Sequence, residues 1–286
     1  MIDGQYTLDG YVFGTGCPVQ IAEFDAGDRT LVDHDETWPA RDGRLVGRDT
    51  DSGPTWGFKL RTRGVAPGAV LSTIADVRAA WEGPRSTPQA TSTIRYTLDG
   101  RTRLVHGRPR RFRHSTDPAE RAAGFAEIEA TFQLTDPLHY SDSLGSTSLA
   151  IVPPSVGGLT APLVAPLSTV RSSAAAARTA VVGGDAPTPV RVVLAGPVTD
   201  PWVRVGGVLV GLRGSLAYDD DVTIDARTTT VLRADGASVA GMLAPRTRPL
   251  PELRLAPGEH EITFGGIDPT GTATAVVSWR DAWRSL

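Results

Sequence analysis

The segment "FAEIEATFQL" alternates without a break: Ala126, Ile128, Ala130, Phe132 and Leu134 share one face, and Glu127, Glu129, Thr131 and Gln133 the other. A period of two, with charge on alternate positions, predicts a half-buried β-strand. "TWGFKLRTRG" repeats the pattern, with Trp56, Phe58 and Leu60 opposite Gly57, Lys59 and Arg61. "CPVQIAEF" follows it imperfectly, with Val19, Ile21 and Glu23 against Gln20, Ala22 and Phe24. One segment has another period. In "GAVLSTIADVRAAWEGP" the apolar residues Val70, Ile74, Val77 and Trp81, joined by Leu71, fall on one face of a helix running from about Gly68 to Trp81. Pro67 suits its start, and Gly83-Pro84 stops it. "TIRYTLDGRTRLVHGRPRRF" predicts a hairpin turning at Asp99-Gly100.

After Tyr140 the pattern changes. "SLAIVPPSVGGLTAPLVAPLSTV" is too proline-rich for a regular central strand, and "SSAAAARTA" fits either a helix or a loop with strand edges. Short strands follow in "VRVVLAG", "WVRVGG", "VLVGLRG", "DVTIDA", "TTVLRADG", "HEITFGG" and "ATAVVSW". Their length and spacing predict a β-sandwich or jelly roll. The 31 Gly and 22 Pro among 286 residues agree with a mostly-β chain rich in turns. Two domains are expected, 1–140 and 141–286. The seam is "ATFQLTDPLHYSD", where Pro137 is expected to end the last strand of the first domain because it has no N–H to donate.

Charge narrows the function. The formal net charge is −3, and neither part is strongly basic: residues 1–140 hold 17 Lys+Arg against 19 Asp+Glu, and the rest 12 against 13. This excludes a dedicated nucleic-acid binder. No apolar run has the length needed to span a bilayer, and "MIDGQYTLDG" has neither the basic nor the apolar region of a secretory signal.

No catalytic constellation is evident. The sequence has no G-x-S-x-G, no P-loop and no G-x-G-x-x-G. Cys17, the lone cysteine, cannot form an intrachain disulfide and is expected to be structural and buried. Asp33 to Glu36 ("DHDE") and Asp219 to Asp221 offer carboxylates. Neither run has a metal-loop spacing, and both are expected to be solvated turns. No cofactor or metal is expected, and the chain is not expected to be an enzyme. The strongest charge signal is arginine: Arg101, Arg103, Arg108, Arg110, Arg111 and Arg113 crowd one segment with Phe112 as its lone aromatic. Guanidinium forks favour bidentate pairing in protein interfaces, so Arg108, Arg110, Arg111 and Arg113 are candidates for an inter-subunit surface.

In order along the chain, "DGRLVGRDTDSGPTWGFKL", "LSTIADVRAAWEG", "VHGRPRRF" and "ATFQLTDPLHYSD" resemble the distal tail proteins, often labelled minor tail proteins, of siphophages infecting actinobacteria. "GLTAPLVAP", "GDAPTPVRVVLAGPVTDPWVRVGG", "VTIDARTTTVLRADG", "LAPGEHEITFGG" and "TATAVVSWRDAW" resemble that family's C-terminal domain. The resemblance implies an N-terminal tail-tube-like β-sandwich or barrel with one flanking helix, and a C-terminal galectin-like β-sandwich. It implies a homohexameric ring at the distal end of the virion tail, joining tube to tip and serving as an assembly hub. The implied partners are the tail tube protein, a tail-associated hub protein and the tape measure protein. The competing expectation is a carbohydrate-binding tail-tip protein. Tyr218 and Trp283 are its candidate sugar contacts, whereas Trp202 and Trp279 fall in strands and are expected in the core.

Overall fold

In a computed structural model the chain is mostly β and forms two compact units, Met1–Asp142 with Arg284–Leu286, and Ser143–Trp283. The structure describes residues 1–83, 90–115, 117–151, 176–268 and 270–286. The proline-rich "PPSVGGLTAPLVAPLSTV" and Pro84 lie outside the described residues.

The first unit is one antiparallel sheet with a helix on it. Its strands are β1 (Gln5–Leu8), β2 (Tyr11–Gly14), β3 (Val19–Asp25), β4 (Thr55–Thr62), β5 (Ser92–Leu98), β6 (Arg101–His114), β7 (Glu127–Leu134) and β8 (His139–Ser141). The order is β2-β1-β5-β6-β7-β4-β3, and β8 pairs with the start of β6. The path starts at β2 and ends at β3 without closing into a barrel. Ala126, Ile128, Ala130, Phe132 and Leu134 are all buried, as are Trp56, Phe58 and Leu60 beside them. The imperfect period of β3 has its cause in a bulge between Ile21 and Glu23, which shifts its register against β4.

The helix α1 (Val70–Glu82) follows a 3₁₀ turn at Pro67–Ala69 and buries the expected face of Val70, Ile74, Val77 and Trp81, while Leu71 points outward. A second helix, α2 (Pro118–Ala122), had no periodic signal because it is about one turn long. Asp117 caps it, accepting a hydrogen bond from the Ala119 N–H at 2.8 Å. The β5–β6 hairpin turns at Asp99-Gly100, both with positive φ, as a two-residue turn of this hand requires.

The core here is aromatic. Tyr6, Phe13, Phe58, Trp81, Trp56 and Tyr96 mesh with centroid separations of 5.5 to 6.3 Å, mostly edge-to-face. The Trp81 indole N–H donates to the Thr131 carbonyl at 3.0 Å, so the helix is tied to β7 by a hydrogen bond as well as by packing.

The second unit is a sandwich of two antiparallel sheets. Its strands are β9 (Gly145–Ala150), β10 (Ala176–Val182), β11 (Arg191–Ala195), β12 (Val198–Val205), β13 (Val208–Gly211), β14 (Asp221–Asp225), β15 (Thr230–Arg233), β16 (Gly258–Ile267) and β17 (Thr274–Trp279). One sheet runs β9-β17-β11-β14-β15 and the other β10-β16-β12-β13. The described end of "SSAAAARTA" is therefore strand, paired along its length with β16. Leu194, Val222, Ala275 and Val277 from the first sheet meet Val203, Val205, Ile262 and Phe264 from the second in one continuous core.

Candidate interaction surfaces

The structure does not gather the arginines into one patch. They lie along the single strand β6, where alternate side chains face opposite ways. Arg103 faces inward, is buried and donates to the Ser285 carbonyl at 2.7 Å, tying the chain end into the first unit. A bulge between Pro109 and Phe112 then exposes Arg110 and Arg111 together. Arg111 approaches Glu129 at 3.9 Å, and its N–H donates to the Thr131 hydroxyl. Arg113 lines a polar hollow beside Lys59, Arg61, Glu127 and Glu129, whereas Arg110 lines a separate one beside Gly27 and Thr30. Arg108 is half-buried. Of the four candidates, Arg110, Arg111 and Arg113 are exposed.

The outer face of the sheet carries paired charge. Lys59 donates to Glu23 at 2.6 Å and Arg61 to Glu127 at 2.7 Å, each across neighbouring strands. The Glu23 carboxylate raises the Lys59 ammonium above its ordinary range, first through the hydrogen bond and then through its charge. An opposite-sign ladder of this kind fits a face in water.

Between β3 and β4 the chain leaves the sheet as an arm, residues 26–53. Two short ladders stiffen it, Leu31–Val32 with Thr50–Asp51 and Glu36–Thr37 with Arg44–Leu45. Its base is fixed by two matching turns: Asp25 accepts from the Gly27 N–H and Asp51 from the Gly53 N–H, each at 2.9 Å. Both glycines have positive φ. A Cβ at either would come within 2.4 Å of a backbone oxygen. Leu31 (67% exposed) and Val46 (80%) are bare, and Trp38 is covered only in part, by Arg41 at 4.4 Å. The "DHDE" carboxylates lie here in solvent-side roles, Asp33 near Arg44 at 3.9 Å and Asp35 accepting from the Gly47 N–H.

The seam segment does more than end a strand. β7 stops at Leu134, before Pro137, and the chain re-enters the sheet as β8. The expectation that Pro137 itself ends the strand is corrected. Asp136 accepts from the Leu138 N–H and from the Tyr140 hydroxyl, so the turn is closed by a carboxylate. His139 is buried against Trp56 and Tyr96, and the Tyr96 hydroxyl meets its Nδ1 at 2.7 Å. Burial raises the Tyr96 phenol above its ordinary range, although Arg103 opposes this. Cys17 is half-buried rather than buried. Its sulfur accepts from the Gln5 amide at 3.6 Å, a contact at the rim of the sheet.

In the second unit Tyr218 is 73% exposed at a turn, and Trp283 is half-buried on the short strand Ala282–Trp283. Neither lines the hollow found in this unit. Trp279 is in the core, as expected, but Trp202 is not. Along β12 the inward positions are Val203 and Val205, which puts Trp202 and Arg204 on the outer face. Trp202 stands opposite Gly211 on β13 and Gly265 on β16. Strand periodicity alone marks Trp202 as either in or out. The neighbours Val203 and Val205 carry the signal that would have placed it outside.

No protein-family model and no curated protein matches the sequence. Solved structures do match. The Dit protein (gp 19.1) of phage SPP1, described as a paradigm of hub adsorption apparatus in phages infecting Gram-positive hosts, aligns over 97% of this chain and 98% of its own. The TM-score is 0.59 at 11% identity. A chain of the phage P2 baseplate in its activated conformation with Ca aligns over 97% of both chains, with a TM-score of 0.58 at 12% identity. A chain of the phage p2 baseplate with Sr covers 96% of this chain and 97% of its own, at a TM-score of 0.55 and 12% identity. The chain thus shares the fold of phage hub and baseplate proteins.

Proposed function

We propose that this chain is a distal tail protein, a structural component of a phage virion at the distal end of the tail. Six copies would close a ring through the first unit, the ring domain. The second, galectin-like unit would dock other tail-tip proteins. The tail tube protein and a tail-associated hub protein are the proposed neighbours, with the tape measure protein as a further contact. The observation that carries this reading is the fold likeness to hub and baseplate proteins over nearly the whole chain. Rings need a heterologous contact that closes on rotation. The bare apolar side chains of the arm and the exposed arginines Arg110, Arg111 and Arg113 are suited to such a contact. The role is non-catalytic.

The carbohydrate-binding reading is less well supported, because the hollow beside Trp202 in the second unit is lined by neither Tyr218 nor Trp283. A cryo-EM map of the virion tail tip tests the ring. Six copies of this chain per tail are expected, and one or three copies would refute it.

A further inference from the structure

The outer face of the β10-β16-β12-β13 sheet carries a hollow of about 510 Å³. Trp202 forms one side. A Cβ at Gly265 would lie 2.4 Å from the indole Cζ2, so the ring lies against bare backbone and is held there. Gly211, also without a side chain, leaves the floor open. The opposite wall is the segment 244–247. It is clamped to Gly211 by the Ala244 N–H at 2.9 Å and by the Thr247 hydroxyl, 3.1 Å from both the N–H and the carbonyl of Gly211. The walls thus stand on two paired strands, Trp202 on β12 and the segment 244–247 on Gly211 of β13, so the space between them is part of the fold.

The lining has two characters. Trp202, Leu209, Ala244 and Pro245 make it apolar, while Arg204, Arg213 and Arg246 stand at its rim. All three guanidiniums are exposed, and none has an ion pair or side-chain hydrogen bond among the described residues. Asp200 is the one carboxylate in the lining, and it accepts the Gly214 N–H at 2.8 Å. The Trp202 indole N–H likewise has no hydrogen-bond partner among the described residues.

A neutral sugar fits this chemistry poorly. Its hydroxyls need acceptors and donors set around the ring, and the lining supplies a single carboxylate, Asp200, while the Thr247 hydroxyl is held on both sides by Gly211. Unpaired hydroxyls on an apolar floor carry a desolvation cost. Three unpaired guanidiniums around an apolar, tryptophan-walled floor instead match an apolar side chain flanked by carboxylates. We propose that this hollow docks an acidic peptide segment of a partner protein, with one apolar side chain seated beside Trp202 and its flanking Asp or Glu on Arg204, Arg213 and Arg246. This inference rests on the second unit alone and holds whether or not the ring does.

The test is fluorescence anisotropy on the full chain with labelled hexapeptides, a Leu, Phe or Trp placed between acidic residues. Controls are the same anchors between lysines, acidic peptides with serine in place of the anchor, an oligogalacturonate as an anionic sugar, and the chain's own segment 29–38. At least one acidic anchored peptide should bind about ten-fold more tightly than every control, a difference of about 1.4 kcal/mol. Binding should weaken with added salt. Trp202→Ala should lower affinity by about ten-fold or more. The triple variant Arg204→Gln, Arg213→Gln, Arg246→Gln changes only exposed side chains. It should keep the wild-type melting temperature and still lose binding. Equal binding by the lysine-flanked set, failure of every peptide to bind, or binding insensitive to these variants overturns the proposal. Tighter binding of the oligogalacturonate would assign the hollow to a saccharide, and tighter binding of segment 29–38 to a second copy of this chain. Either result also overturns it.

Discussion

The two units bury different side chains. The first places Tyr6, Phe13, Trp56, Phe58, Trp81, Tyr96, Phe132 and Tyr140 in its interior. The second builds its core from Val, Leu, Ile and Ala, with Phe264 and Trp279 as its buried aromatics. Its other aromatics, Trp202, Tyr218 and Trp283, are half-buried or exposed. The difference follows from geometry. A single sheet covered by one helix leaves uneven space, and large flat rings with polar edges fill it. Two sheets stacked face to face leave a thin, regular layer that β-branched and small side chains fill. The lesson concerns function. In the sheet of the first unit, the exposed Trp38 of the arm apart, an aromatic residue reports packing. In the second, beyond the core rings Phe264 and Trp279, it reports surface available for contact.

Cavity-forming substitutions should show this contrast most strongly. Trp81→Ala removes a buried indole, its hydrogen bond to Thr131 and its edge contacts with Phe13 and Phe58. Phe264→Ala removes the large ring of the second core. Each should cost about 3–5 kcal/mol, read from denaturant midpoints at constant slope. A Trp81→Ala protein that melts like wild type would show that the helix face is not buried.

The polar edges of the aromatic core come next. Tyr96→Phe leaves the buried His139 Nδ1 without the hydroxyl 2.7 Å away and should cost about 1–3 kcal/mol. An unchanged midpoint would show that the hydrogen bond contributes nothing net.

The units should also differ at the extremes of pH. Burial, and then the Asp3 charge, push the Tyr6 phenol up to about 12; burial, then Asp76 and Cys17, do the same for Tyr11. Their unfolded phenols ionise near 10. The contribution is therefore full below pH 10 and lost as pH rises toward 12. Tyr6→Phe should flatten that alkaline slope. In the second unit, burial opposes ionisation of Asp268. Hydrogen bonds from the Ala273 N–H, the Thr270 hydroxyl and the Thr270 N–H together outweigh it and lower the pKa. That contribution is full above the unfolded value of 3.8 and lost as pH falls through the lowered folded value. Asp268→Asn should flatten the acid slope and leave the alkaline one as it was. Midpoints measured from pH 2 to 12 test both signs.

The smallest effect is expected on the charged outer face. Arg61→Gln breaks an exposed pair with Glu127 and should change stability by less than about 1 kcal/mol. A larger loss would mean that this face is covered in the folded protein.

Wherever one period held over a whole element, the sequence alone determined the outcome. Alternation in "FAEIEATFQL" and "TWGFKLRT" set both the strand and its buried face, because a strand sends successive side chains to opposite sides. The apolar spacing of Val70, Ile74, Val77 and Trp81 set α1 in the same way, and Asp99-Gly100 set a turn that needs two positive φ angles. Tertiary structure decided what no local period encodes. A bulge at Pro109 to Phe112 exposed Arg110 and Arg111 together, while Arg103 of the same cluster was buried on the Ser285 carbonyl. A carboxylate at Asp136 and the burial of His139 turned the seam into part of the core. Trp202 came to the surface because Val203 and Val205 took the inward positions and because Gly211 and Gly265, on the two neighbouring strands, left room beside it. A strand pattern leaves open which face meets a second sheet. That is decided only when the second sheet arrives.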